Sequence, residues 1–309
     1  MNPRARVIID NDFAGDPDGL FQLAHHVLCS SVEVVQVIAS RVPDAMLTPG
    51  QDFIADGVAA ADEVLQLAGA RVRTHRGAPA ALVAGDQVAE SATVRAIISE
   101  ALRDDTDLPL FFAAGAGLTS LASALAIEPR IAERITLVWI GGHGYGDSVA
   151  QPEFNTSCDL VAAQIVFHSH VTIWQVPEPT YAQCLVSWTE LDRDIAAHSV
   201  LGAHLVERWR AFTLMVEQLL GGSLGECAVL GDSPLVVLTA LQGTFTRDAS
   251  SSPSHSELRR PIQDDGSYGD ARADLPPVRV FDAIDTRLLY GDLVAKLAAH
   301  SAALERGRS

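Results

Sequence analysis

Short β-branched apolar runs alternate along this chain with longer stretches whose apolar residues return every three or four positions. The runs Arg6 to Asp10, Glu33 to Ser40, Arg71 to Arg76, Pro109 to Ala114, Ile135 to Ile140, Val171 to Val176 and Val278 to Ala283 predict strands. The helical periodicity predicts helices over Asp18 to Cys29, Ile54 to Ala68, Ala89 to Arg103, Leu118 to Glu128, Leu160 to His168, Val200 to Leu219, Asp232 to Leu241 and Leu289 to His300. Strand and helix in alternation predict an α/β fold, a mainly parallel central sheet flanked by helices on both faces. We expect one domain over residues 1–309, with the Ser-, Pro-, Asp- and Gly-rich stretch 242–277 as a long loop or lid.

In such sheets a ligand sits beyond the carboxyl ends of the strands. Asp10 and Asp12 stand at one predicted strand end, Ala114-Gly115-Ala116-Gly117 at another, and the glycine-rich Gly141 to Gly146 at a third. The first is the richest in chemistry: Asp10, Asp12, Asp16 and Asp18 place four carboxylates within nine residues. Crowded carboxylates either hold protons or take a counter-charge, and calcium or magnesium supplies one through oxygen ligands alone. A solvated acidic turn is the plain alternative, since Asp, Asn, Gly and Pro are ordinary turn formers. An EF-hand is excluded, because its twelfth position would be Phe21 where a bidentate Glu is required.

Composition narrows the partners. A chain of 309 residues, 48% hydrophobic, is long enough to bury a large core, and its formal net charge of -17 argues against nucleic acid or an anionic membrane. Small neutral or metal-bridged ligands fit better. Cys29, Cys158, Cys184 and Cys227 are far apart in sequence, and Met1 to Arg6 runs into a strand without a signal-peptide pattern. A cytoplasmic protein with reduced thiols is expected. No apolar run reaches the roughly 18 residues of a membrane span.

Taken in order, Asp10-x-Asp12 with further Asp, Ala114-Gly115-Ala116-Gly117-Leu118-Thr119-Ser120, Glu153-Phe154-Asn155 with Asp159-Leu160-Val161-Ala162-Ala163, and Gly231-Asp232-Ser233-Pro234-Leu235 resemble the inosine-uridine preferring nucleoside hydrolases. The resemblance runs from about Val7 to about Leu297. It implies hydrolysis of the N-glycosidic bond of ribonucleosides through an oxocarbenium-like transition state, with one calcium ion holding the ribose diol and the attacking water. On that resemblance Asp12 is the general base and a metal ligand, and Asp10 orients the cluster. Asp16 and Asp18 supply a further ligand and a ribose contact, Gly115 offers its carbonyl to the metal, and Asp232 closes the coordination sphere. Glu153 and Asn155 bind ribose hydroxyls, and a homodimer or homotetramer is implied.

Each assignment has a plainer alternative. Asp232 before Ser233-Pro234 fits a helix N-cap, the Gly115 to Gly117 stretch a tight turn, and Glu153 and Asn155 plain surface polarity. His25, His26, His168 and His170 read as structural, and Trp174, Trp188 and Trp209 as core.

The sequence also departs from the family pattern. Phe13-Ala14 replaces Pro-Gly, and the later carboxylates are split as Asp16-Pro17-Asp18-Gly19, so either Asp16 or Asp18 meets the metal. Gly231 stands where many members carry a His that protonates the departing base. His143, placed also as a substrate contact, or Tyr145, Tyr181 or His255 are then candidate acids. Otherwise the base is already activated, as a cationic or electron-poor ring is. Two rival functions remain. One is a haloacid-dehalogenase-like magnesium phosphatase, which shares strand then Asp-x-Asp but wants Thr or Val where Ala14 stands and a suitably placed Lys, whereas Lys296 is the chain's only one. The other is a hydrolase-like protein that binds a ribosyl ligand without turnover.

Overall fold

A computed structural model of the protein describes residues 2–308 apart from 48, 86, 87, 89, 147–149 and 244–249. In chain order the elements are β1 (Ala5–Asn11), α1 (Asp18–Val27), β2 (Val32–Ala39), α2 (Phe53–Ala68), β3 (Thr74–Arg76), α3 (Ala92–Ala101), β4 (Leu110–Ala114), α4 (Thr119–Ile127), β5 (Ile135–Ile140), α5 (Phe154–Cys158), α6 (Leu160–His168), β6 (Thr172–Val176), α7 (Glu178–Tyr181), β7 (Leu185–Ser187), α8 (Trp188–Glu190), α9 (Val200–Leu220), β8 (Cys227–Val229), α10 (Pro234–Thr239), β9 (Ser254–Glu257), β10 (Val278–Phe281) and α11 (Thr286–Arg308). Every strand and helix expected from the periodicity is present. The main sheet runs β3-β2-β1-β4-β5-β6-β10-β9, parallel throughout except for the antiparallel edge strand β9.

β1 lies near the middle of this sheet and is buried along its whole length, as a parallel strand covered on both faces must be. Its alternate residues enter two cores. Val7 and Ile9 pack with Leu20 of α1, Leu235 of α10 and Leu289 of α11, while Ile8 packs with Val94 of α3, Leu121 of α4 and Phe167 of α6. The same alternation sends the side chains of Asp10 and Asn11 to opposite faces of the sheet.

The periodicity misses the three-residue antiparallel pair β7–β8 and the polar edge strand β9, Ser-His-Ser-Glu. Neither carries an apolar repeat; both exist because a partner strand supplies their hydrogen bonds. Of the stretch expected to be a loop or lid, residues 244–249 lie outside the described residues. The remainder from Ser250 to Pro277 is tied to the far edge of the sheet. β9 pairs with β10, and the buried Arg259 donates to the carbonyls of Ser169, Val171 and Pro276. Tyr268 stacks on Tyr145 with ring centroids 4.3 Å apart.

Candidate active site

Three strand ends converge on the acidic motif. The Gly115 N–H after β4 donates to the Asp10 carbonyl at 3.0 Å, and the Ser40 N–H after β2 donates to the Asn11 carbonyl at 2.8 Å. The chain then turns through Asp12 to Pro17 and enters α1, whose first residue, Asp18, accepts the backbone N–H of Asp232 at 2.9 Å. Asn11 fastens the two halves together. Its amide donates to Asp232 at 2.8 Å, and its carbonyl oxygen accepts the Asp12 N–H at 2.8 Å. Asn11 carried no role in the sequence reading; its one signal was a polar amide inside an apolar strand. Asp10 lies beneath, bonded by the Ser40 hydroxyl, with its other carboxylate oxygen unpartnered.

Two glycines are required by this closeness. A Cβ on Gly115 would stand 2.5 Å from both the Asn11 amide and the Asp232 carboxyl, and one on Gly19 would stand 2.7 Å from the Asn11 side chain. The Gly19 that departs from the family pattern is therefore the residue that lets α1 approach Asn11.

A cavity of about 340 Å³ opens above the carboxylates. Asp12, Asp16, Asp18, Asp232 and Gly115 border its floor, and Asn155 lines it from the side, holding the Ile140 carbonyl through its amide at 2.9 Å. Phe154, Tyr181, Trp209, Phe212, Leu224 and Val229 form the walls. Trp209 is thus both core, edge-on to Phe21 at 6.2 Å, and cavity wall, a second role its apolar spacing did not reveal.

The other expected site residues fall elsewhere. Glu153 is buried behind the wall and saturated: it accepts the N–H groups of Gly142, Asn155 and Thr156, the Thr156 hydroxyl and the Tyr181 hydroxyl, the last at 2.8 Å. It positions Tyr181, and its oxygens are already occupied. His143 does not reach the cavity, because its ring is held by the Gln151 carbonyl at 2.9 Å and by Glu178 at 3.2 Å. Tyr145 donates to Gln175, and His255 bonds Asp282 beside the sheet edge. Among the candidate acids, Tyr181 alone borders the cavity.

Electrostatically the floor is unbalanced. Burial pushes the Asp10 carboxyl up to about 7 against the hydroxyls of Ser40 and Ser120. It also raises Asp12 and Asp18, each further by Asp16 and Asp232. Asp232 is pushed up to about 8 by burial and by Asp16, against its bond from Asn11. Among the described residues lining the cavity there is no Lys, Arg or His. Crowded, buried carboxylates with no internal cation form a donor set made of hard oxygens, the set that fits calcium or magnesium and suits softer metals poorly.

A description of the inosine-uridine preferring nucleoside hydrolases matches residues 7–289. Over 62 residues the chain is 44% identical to the inosine-uridine preferring nucleoside hydrolase of Crithidia fasciculata, a match covering 19% of this chain and 19% of that protein, so the alignment spans about a fifth of the curated relative. The fold is similar to that of a plant nucleoside hydrolase, with a TM-score of 0.72 at 17% identity over 96% of this chain and 100% of the other. It is also similar to that of a purine-preferring ribonucleoside hydrolase from Gardnerella vaginalis, with a TM-score of 0.70 at 15% identity over 96% and 99%.

Proposed function

Because the chain belongs to the inosine-uridine preferring nucleoside hydrolase family, we propose that it hydrolyses the N-glycosidic bond of a ribonucleoside or related riboside, releasing base and ribose, with calcium as its metal. The observation that carries this reading is the convergence of Asp12, Asp18, Asp232 and the Gly115 backbone on one cavity whose lining, among the described residues, holds no cationic side chain.

Asp12, Asp18 and Asp232, with the Gly115 carbonyl, would hold the ion. Asp16, the exposed carboxylate of the floor, is left to meet the ribose hydroxyls together with Asn155. When bound, the ion supplies the positive charge that keeps these carboxylates ionised and makes nearby water more acidic. Asp12 takes the proton of the attacking water as general base. The remaining carboxylates face the positive charge that develops at the anomeric carbon and stabilise it. Asp10, bonded by the Ser40 hydroxyl, anchors the strand end that carries Asp12, and Asn11 keeps Asp232 in register with Asp12. The walls around the departing base are largely apolar.

Free cysteines are in keeping with a reducing cytoplasm. The uncovered apolar side chains Leu214, Met215, Leu219 and Leu220 at the end of α9 support assembly into a homodimer or homotetramer. The phosphatase alternative loses its lysine, since Lys296 bonds Asp292 within α11. Ribose release from inosine and uridine, measured with calcium and again with a chelator, tests the proposal. Calcium-dependent release is expected. Tight ribose or nucleoside binding without release would instead identify a binding protein that has lost turnover.

A further inference from the structure

Breaking a glycosidic C–N bond sends the bonding electron pair to nitrogen. A neutral purine or pyrimidine then leaves as an anion and needs a proton, whereas a ring already quaternised at that nitrogen leaves neutral. Which case this cavity serves is decided by the acids that line it. Tyr181 has already spent its hydroxyl proton on Glu153 at 2.8 Å. Thr213 is an alcohol, which yields no proton near neutral pH. Cys227, exposed on β8, carries the one thiol among the described residues lining the cavity, and no His, Lys or Arg lines it among them.

The walls suit a cation in a second way. Trp209, Phe212, Phe154 and Tyr181 border the cavity, and aromatic rings attract positive rings through their quadrupoles. The floor contributes Asp12, Asp16, Asp18 and Asp232, more negative charge than one divalent ion cancels. The whole chain, at a formal -17, adds a field of the same sign.

Resting on the hydrolase reading above, we propose that the site takes ribosides of a cationic, pyridinium-type heterocycle, whose ring departs without receiving a proton. Water adds its oxygen to the anomeric carbon and gives up one proton, the C–N pair passes to the ring nitrogen, and the products are ribose, a neutral heterocycle and that proton.

The test compares ribose release from nicotinamide riboside, its uncharged 1,4-dihydro form, p-nitrophenyl riboside, inosine and uridine, each normalised to its rate without enzyme. The wild-type protein is assayed with calcium. Nicotinamide riboside should exceed inosine and uridine in kcat/KM by about 10²-fold or more, the usual share of a general acid, and should exceed its dihydro form as well. Phe212→Leu should raise KM several-fold for nicotinamide riboside, and by more than it raises KM for the uncharged p-nitrophenyl riboside. Inosine or uridine cleaved as well as the pyridinium riboside would overturn the inference, and loss of that cleavage in Cys227→Ala would name the thiol as the acid. Ribose from none of the five would overturn the hydrolase reading, and this inference with it.

Discussion

The two ends of α1 solve the burial of polar groups in opposite ways. At its N-terminus Asp18 joins Asp12 and Asp232 in a carboxylate cluster whose members raise one another's pKa. At and just past its C-terminus His25, His26 and Cys29 are also buried, yet the two imidazoles find partners inside the protein. His25 bonds Asp292 at 2.7 Å, Lys296 bonds the same carboxylate, and His26 lies between Gln22 and Thr239. Burial raises the pKa values of the acids at one end and lowers those of the imidazoles at the other. One end pairs most of its polar atoms within the protein, with His25 Nδ1 and Gln22 Oε1 left over, and the other gathers carboxylates around an open cavity. This contrast separates a structural polar cluster from a functional one more clearly than burial or charge taken singly, because both ends are buried and both are ionisable.

Substitutions at the two ends should therefore separate activity from stability. Asp12→Asn keeps the shape of the floor and removes the base, so kcat should fall by about 10³-fold while the thermal midpoint stays level or rises, one buried like charge having been relieved. A fall in midpoint with kcat retained would reverse the assignment. Calcium is the next largest effect. At a hundredfold excess over its dissociation constant it should stabilise the protein by about 2.7 kcal/mol, seen as a rise in thermal midpoint that a chelator reverses and that Asp232→Ala lacks. An equal rise in that variant would move the ion elsewhere. Asp292→Ala at the other end should cost roughly 1–3 kcal/mol in urea unfolding, because His25 and Lys296 lose their shared acceptor, and should leave kcat/KM within about twofold.

The N-terminal end was largely legible in the sequence and the C-terminal end was not. Asp10, Asp12 and Asp18 are close in the chain, and strand periodicity alone puts them at a sheet's carboxyl edge. Gly115 and Asp232 were found through the resemblance to a family's order of motifs, since neither is close to the acidic motif in the chain. Asn11 was passed over because its importance comes from contacts with residues 221 positions away. Glu153 and His143 were placed as substrate contacts from loop motifs, but a loop's direction is set by what it packs against. Glu153 is saturated by five donors, and His143 is held by Gln151 and Glu178. The aromatic wall was hidden for a related reason: Trp209 and Phe212 read as part of an amphipathic helix, and only the packing of α9 beside the strand ends turns one edge of that helix toward a cavity.

The smallest expected effect concerns pH at the C-terminal end of α1. The Thr239 hydroxyl donates to the Leu235 carbonyl at 2.7 Å, so it accepts from His26 Nε2, and His26 Nδ1 accepts from the Gln22 amide. The ring is thus a satisfied neutral imidazole, and a second proton on Nδ1 would face a donor. Burial accordingly lowers its pKa to about 3, with His25 adding to the effect. In the unfolded chain the same group titrates near 6.5. The sign follows: this contribution to stability is fully present above about pH 6.5 and is lost as pH falls toward 3, where the unfolded state binds a proton the folded state refuses. Between pH 7 and 6 the loss is roughly 0.7 kcal/mol for one such group. Urea unfolding of wild type and His26→Gln at pH 7 and pH 5.5 isolates it, since the variant has no proton to refuse and the gap between the two proteins should narrow at the lower pH. A gap of equal size at both pH values would mean that His26 contributes packing and hydrogen bonds alone.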